Sequence, residues 1–153
     1  MTRNKFQNRM HGVFLTAAEL TYRGFIVSLT SRSAFGADLL VTDNQCQRTW
    51  SVQVKTNQST AANFWLLSPH CERLKCDSHI YVFVGLKGNQ RPKFLAVPSR
   101  IVAANVCKDT HKSGIFYSFA RATKWEHKDE GWEEAFGNAP PALGPDDAAQ
   151  NSN

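Results

Sequence analysis

Ala37-Asp38-Leu39-Leu40-Val41 and Trp50-Ser51-Val52-Gln53-Val54-Lys55-Thr56 are two short apolar runs separated by a polar stretch from Thr42 to Thr49. They read as the two strands of one hairpin. A turn centred between Gln45 and Cys46 makes the numbers of cross-strand partners sum to 91, so Asp43 faces Arg48 and Asp38 faces Gln53. Period-two alternation then sorts the side chains onto two faces. One face carries Leu39 against Val52 and Val41 against Trp50 and reads as a core surface. The other carries Asp38, Gln53 and Lys55 with Leu40, Ser51, Thr42 and Thr49. A carboxylate, an amide oxygen and an ammonium therefore converge at one end of the hairpin.

That trio suits phosphoryl chemistry. A hard divalent ion takes oxygen ligands, and a lysine beside it can hold or activate a water that attacks phosphorus. The structural alternative is polar decoration, which the outer face of an antiparallel sheet ordinarily carries.

The order of these residues resembles the PD-(D/E)xK nuclease superfamily, the restriction-endonuclease-like fold that includes Holliday-junction resolvases. There an Asp begins one strand and an acidic-x-Lys triplet lies on the next. Asp38 matches the Asp and Gln53-Val54-Lys55 the triplet; Ala17-Ala18-Glu19-Leu20 resembles the first helix, whose Glu often completes the site. The likeness spans residues 10 to 100. It departs from the pattern twice: Ala37 stands where a Pro is frequent, and Gln53 supplies an oxygen without the charge of the usual acid.

The resemblance implies an α/β protein with a mixed central sheet flanked by helices, built on an αβββαβ-type core. It implies a DNA endonuclease, a hydrolase using Mg²⁺ or Mn²⁺. In that reading Asp38, the Gln53 side-chain oxygen, the Val54 carbonyl and Glu19 hold the cation, while Lys55 orients or deprotonates the attacking water. By the same analogy the partner is DNA rather than RNA, and two copies acting as a homodimer would cut both strands. Lys5, Arg9 and Arg32 are candidate phosphate contacts. The competing reading is a non-catalytic nucleic-acid-binding module that keeps this fold but has lost metal affinity through Gln53. A protein-binding or structural domain is the third, and it predicts no salt-dependent DNA affinity.

Composition bounds these readings. With 153 residues and 42% hydrophobic content, the chain suits one domain with a single sizeable core. We expect a folded unit over residues 1–137 and a disordered tail over 138–153, where Ala, Pro, Gly, Asp and Asn dominate. The formal charge is +5, but the tail holds Asp146 and Asp147 and no Lys or Arg. The remainder, with 18 basic against 11 acidic residues, carries +7, a charge suited to a polyanion. No run of about eighteen apolar residues is present and no apolar stretch follows Met1-Thr2-Arg3-Asn4-Lys5, so the expectation is a cytoplasmic protein with no membrane partner.

Cys46, Cys71, Cys76 and Cys107 lack paired Cys-x-x-Cys spacing and read as reduced thiols. The four-residue gap between Cys71 and Cys76 speaks against a zinc site with His70 or His79. His11, His111 and His127 have no partner pattern either. No internal repeat, P-loop, dinucleotide fingerprint or nucleophile elbow occurs, so nucleotide hydrolysis, dinucleotide binding and serine hydrolase chemistry have nothing to rest on.

Around the hairpin, Met10, Val13, Phe14, Ala17 and Leu20 recur at helical spacing and predict an amphipathic helix over Asn8 to Tyr22, with Gly24 as its left-handed cap. Phe25 to Leu29 predicts a strand. His79 to Leu86, apolar almost throughout, predicts a central strand buried on both faces. Pro92 to Val97 is the strand beside it, and Pro98-Ser99 opens a short helix through Val106. Short helices are expected over Pro69 to Asp77 and Asp129 to Phe136, and an outer strand over Ile115 to Ala120. Trp125 and Trp132 read as lids on the core.

Overall fold

The computed structural model of the chain describes residues 4–31, 36–58, 64–120 and 130–137. Arg32, Trp125 and the stretch 138–153 lie outside these residues.

A helix, α1 (Lys5–Tyr22), leads through Gly24 into β1 (Ile26–Leu29), then β2 (Leu39–Thr42) and β3 (Thr49–Asn57). Gly24 has φ +89°, the left-handed conformation a reversal from helix to strand requires. The hairpin register is the expected one: Leu39 faces Val52 and Val41 faces Trp50. Asp43 N–H donates to Arg48 O at 3.1 Å beyond the last pair. β5 (His79–Gly85) runs parallel to β3, and β6 (Lys93–Pro98) pairs antiparallel with β5. The main sheet is therefore mixed, in the order β1-β2-β3-β5-β6. Helices α2 (Ser99–Asn105) and α3 (Trp132–Phe136) complete an α/β architecture with a central mixed sheet and flanking helices.

Period-two alternation builds two cores, one on each face of this sheet. Val52, Val54, Ile80, Val82 and Val84 point toward α1 and α3, where Val13, Leu20, Trp132 and Phe136 pack. Tyr81, Phe83, Leu95 and Val97 point to the other face, onto α2 and a second sheet. That sheet, absent from the sequence reading, joins β4 (Phe64–Leu67), β8 (Gly114–Ala120) and β7 (Cys107–His111) in the order β4-β8-β7. Its inner residues Trp65, Tyr117 and Phe119 are buried. β5 is consequently covered on both sides, as its unbroken apolar run required.

Four expectations need correction. The helix between β3 and β5 is reduced to a single 3₁₀ turn, Pro69–Glu72, in a connection that also carries the short strand β4. The strand over Ile115 to Ala120 is the middle of the second sheet, flanked on both sides, rather than an outer strand. β3, not β5, stands at the centre of the main sheet. On α1 the buried residues are Gly12, Val13, Thr16 and Leu20, while Phe14 is 54% exposed.

The last point sets the height of α1 on the sheet. A Cβ on Gly12 would stand 1.9 Å from Thr56 Oγ1, so the helix crosses β3 at a distance only glycine allows. Helix α1 also starts earlier than apolar periodicity suggests. Asn4 and Gln7 form a capping box, with Gln7 N–H donating to Asn4 Oδ1 at 2.8 Å and Asn4 N–H to Gln7 Oε1 at 3.0 Å. The added residues, Lys5 to Gln7, carry Lys5 over the end of the hairpin beside Asn8 and Arg9.

Candidate functional site

β2 begins at Leu39 while β3 runs on to Asn57, so the β3 edge beyond Asp38 has no strand beside it. That notch is the floor of a cleft of ≈ 400 Å³ lined by Lys5, Asn8 and Arg9 from α1, by Asp38, and by residues 53–58 of β3 and its end.

Asp38 is fixed at the mouth of the notch by its own backbone. Its N–H donates to Val52 O at 2.8 Å, and its carbonyl accepts from Thr30 N–H at 3.1 Å. The side chain turns along the sheet edge, where Oδ2 accepts from Val54 N–H at 2.9 Å. The carboxylate thus takes the place of the next strand residue in satisfying a backbone donor. Oδ1 accepts from Arg9 Nη2 at 2.8 Å, with the Asp38 side chain 11% exposed and the Arg9 side chain 63% exposed. Because N–H and C=O of one strand residue leave on the same side, the Val54 carbonyl faces the same notch.

Gln53 and Lys55 stand on the second-sheet face of β3, in register with Tyr81 and Phe83. Burial there pushes the Lys55 ammonium below its ordinary value; the negative charge of Asp38 works against this and the Arg9 cation adds to it. A lysine held below its usual range is a better proton acceptor near neutral pH than a solvated one. At the far end of the cleft the amides of Asn8 and Gln58 close a reciprocal pair, at 2.7 Å and 2.6 Å.

Of the residues expected from the sequence, the cleft brings together Asp38, Gln53, Val54, Lys55, Lys5 and Arg9. Glu19 is not among them. It is ten residues beyond Arg9, about 15 Å along the helix axis, and it pairs with Arg23 at 2.9 Å. The reason is the tight reversal at Gly24: β1 runs back along α1, so the strand end beside Asp38 meets the first half of the helix, where no acid stands. Arg32 lies outside the described residues. Asn8, Asn57 and Gln58 are cleft residues that sequence reading missed; the capping box at Asn4 and the polar end of β3 were the signals for them.

The charges decide what the cleft attracts. Among the described residues that line the cleft, Lys5, Arg9 and Lys55 stand against the single carboxylate of Asp38, so an anion is favoured. For a divalent cation, Asp38, the Gln53 amide oxygen and the Val54 carbonyl are donors of the fitting kind, all oxygen, with one negative charge among them. No group of three or more His, Cys, Asp or Glu able to hold a metal occurs among the described residues. A cation here fits only with further oxygens from a bound phosphate, which is the usual manner of Mg²⁺.

No known protein family matches the chain, and no curated protein does. Among solved structures it is similar to Hjc, a Holliday junction resolvase of the archaeal hyperthermophile Archaeoglobus fulgidus, at 12% identity and a TM-score of 0.45, over 73% of this chain and 83% of that one. No helix of the described residues is long and apolar enough to cross a membrane.

Proposed function

We propose that this protein is a nuclease hydrolysing phosphodiester bonds in DNA with the help of Mg²⁺ or Mn²⁺. The observation carrying this reading is the corner where the Asp38 carboxylate, fixed by Val54 N–H at 2.9 Å, faces a cleft shared with Lys55, whose burial lowers its proton affinity.

Each residue has a task in that reaction. Lys5 and Arg9, on the exposed first turns of α1, receive the phosphate backbone, and the positive charge of the body draws in the polyanion. Asp38, the Gln53 oxygen and the Val54 carbonyl would hold the cation, which polarises the phosphate and the attacking water. Lys55 orients that water, accepts its proton when neutral, and as an ammonium offsets charge gathering on the phosphoryl oxygens. A homodimer would present two such clefts to the two strands of a duplex.

One observation favours a second reading, a non-catalytic nucleic-acid-binding module. Asp38 is already satisfied by Arg9 and Val54 N–H without any cation. The two readings separate on cutting. Purified protein is incubated with supercoiled, linear, single-stranded and four-way-junction DNA, with Mg²⁺, Mn²⁺ or EDTA, beside Asp38→Asn and Lys55→Met. Metal-dependent cleavage lost in both variants, with DNA affinity largely kept, is expected of the nuclease. Salt-dependent binding without cleavage assigns the module, and cutting by Asp38→Asn at the wild-type rate removes this site from the chemistry.

A further inference from the structure

The cleft holds a contradiction that the nuclease reading does not resolve by itself. The one carboxylate that the described residues give it, the ligand a divalent cation needs first, is occupied by Arg9 at 2.8 Å, and Lys5 and Lys55 line the same space. A cation approaching Asp38 in the free protein meets three basic side chains and must displace the nearest of them.

Arg9 is well placed to be displaced. Its side chain is 63% exposed, and an ion pair of that exposure is weakly held. Nη2 makes the contact with Asp38 Oδ1, while a guanidinium has five donors in a planar fork that matches phosphate in two-point fashion better than it matches one carboxylate oxygen. Arg9 sits on the first turns of a helix anchored by the Asn4–Gln7 capping box, so the side chain can swing while the backbone stays. A phosphate entering the cleft therefore has a partner to take from Asp38, and it brings the oxygens and charge the cation site lacks.

We propose that Arg9 is a substrate-responsive latch: it caps Asp38 in the free protein and transfers to a nucleic-acid phosphate, so that phosphate and divalent cation bind cooperatively and the unliganded cleft holds metal poorly. The inference rests on Asp38 being a metal ligand. Linkage makes the effect reciprocal, since whatever factor the phosphate adds to metal affinity the metal must add to phosphate affinity. Arg9 acts as a positioning residue here, through Asp38 in one state and on the phosphate in the other.

The test is Mn²⁺ binding followed by electron paramagnetic resonance of the free ion, without and with thymidine 3′,5′-bisphosphate, for wild type, Arg9→Met, Arg9→Lys and Asp38→Asn. Asp38→Asn reports the Mn²⁺ held by the nucleotide alone, and circular dichroism verifies that each variant is folded. Wild type is expected to bind Mn²⁺ weakly alone and about tenfold more tightly with the nucleotide, within the usual range of such couplings. Arg9→Met is expected to bind Mn²⁺ more tightly than wild type without nucleotide and to gain less from the nucleotide than wild type does, while Arg9→Lys, which keeps the charge, follows wild type. Equal Mn²⁺ affinity of wild type and Arg9→Met, both above Asp38→Asn, overturns the latch and leaves the metal site standing. Binding no stronger than that of Asp38→Asn in every protein overturns the metal site and the latch with it.

Discussion

Gly12→Ala is the substitution that asks most of this structure, because two effects of similar size oppose each other. On an isolated helix the change is favourable by about 1 kcal/mol, the difference in helix propensity between Ala and Gly. In this protein the added Cβ would lie 1.9 Å from Thr56 Oγ1, with Thr56 Cβ at 3.1 Å and Cγ2 at 3.2 Å. Those atoms belong to a short branched side chain on the central strand and cannot swing away freely. Overpacking of this kind costs about 1–3 kcal/mol, so the net expectation is a loss of about 1 kcal/mol, or roughly 3 °C in Tm for a chain of this size. Thr56→Ala removes Oγ1 and Cγ2; its hydroxyl is buried without a hydrogen-bond partner, so deleting it sacrifices no bond. The double variant Gly12→Ala with Thr56→Ala should then recover at least the loss caused by Gly12→Ala, a coupling of about 1 kcal/mol or more between residues in contact. Urea denaturation of the four proteins of the cycle, with Cm and m fitted together, measures it. A rise in stability for Gly12→Ala alone, or simple additivity in the double variant, would show that α1 does not cross β3 where we describe it, and the placement of Arg9 over Asp38 would fall with it.

His79 gives a pH dependence with a definite sign. Buried at 6% exposure on β5, its ring accepts or donates at Nδ1 to Ser51 Oγ at 2.7 Å, and burial, with His70 nearby, lowers its pKa from 6.5 to about 4. The unfolded chain takes the proton first, so stability present above pH 6.5 is lost progressively as pH falls toward 4. Thermal melts between pH 4 and pH 7 should show this loss in wild type and a flatter profile in His79→Asn. Gln53→Glu restores a second charge beside Asp38, and calorimetric titration should find Mn²⁺ bound about tenfold more tightly than by wild type, in keeping with affinity set by ligand charge. Unchanged affinity would remove Gln53 from the ligand set. Ending the chain after Gly137 is expected to leave Tm and DNA affinity unchanged; a drop in Tm would place part of residues 138–153 in the folded unit.

Local chemistry in the sequence determined much of this protein. The hairpin register followed from alternation and turn position, because a slip of one residue would turn Leu39, Val41 and Val52 to solvent and Asp38 inward. The unbroken apolar run of β5 announced burial on both faces, and alternation placed Gln53 and Lys55 on one face of β3, whereas Asp38 stands just before β2 and turns its carboxylate to Val54 N–H in the cleft that all three line. Tertiary structure decided what those residues meet. Only the crossing of α1 over β3 at Gly12 brings Arg9 onto Asp38 and keeps Glu19 away from it, since both depend on how far the helix slides along the sheet, which helical periodicity does not encode; the pairing of Glu19 with Arg23, four residues on, is local. The second sheet depends on pairings between residues about fifty positions apart, such as Trp65 with Phe119, and no local pattern marks them. Alternation tells which face of a strand a side chain takes; long-range packing alone tells what stands on that face, and for Asp38 it stands an arginine there.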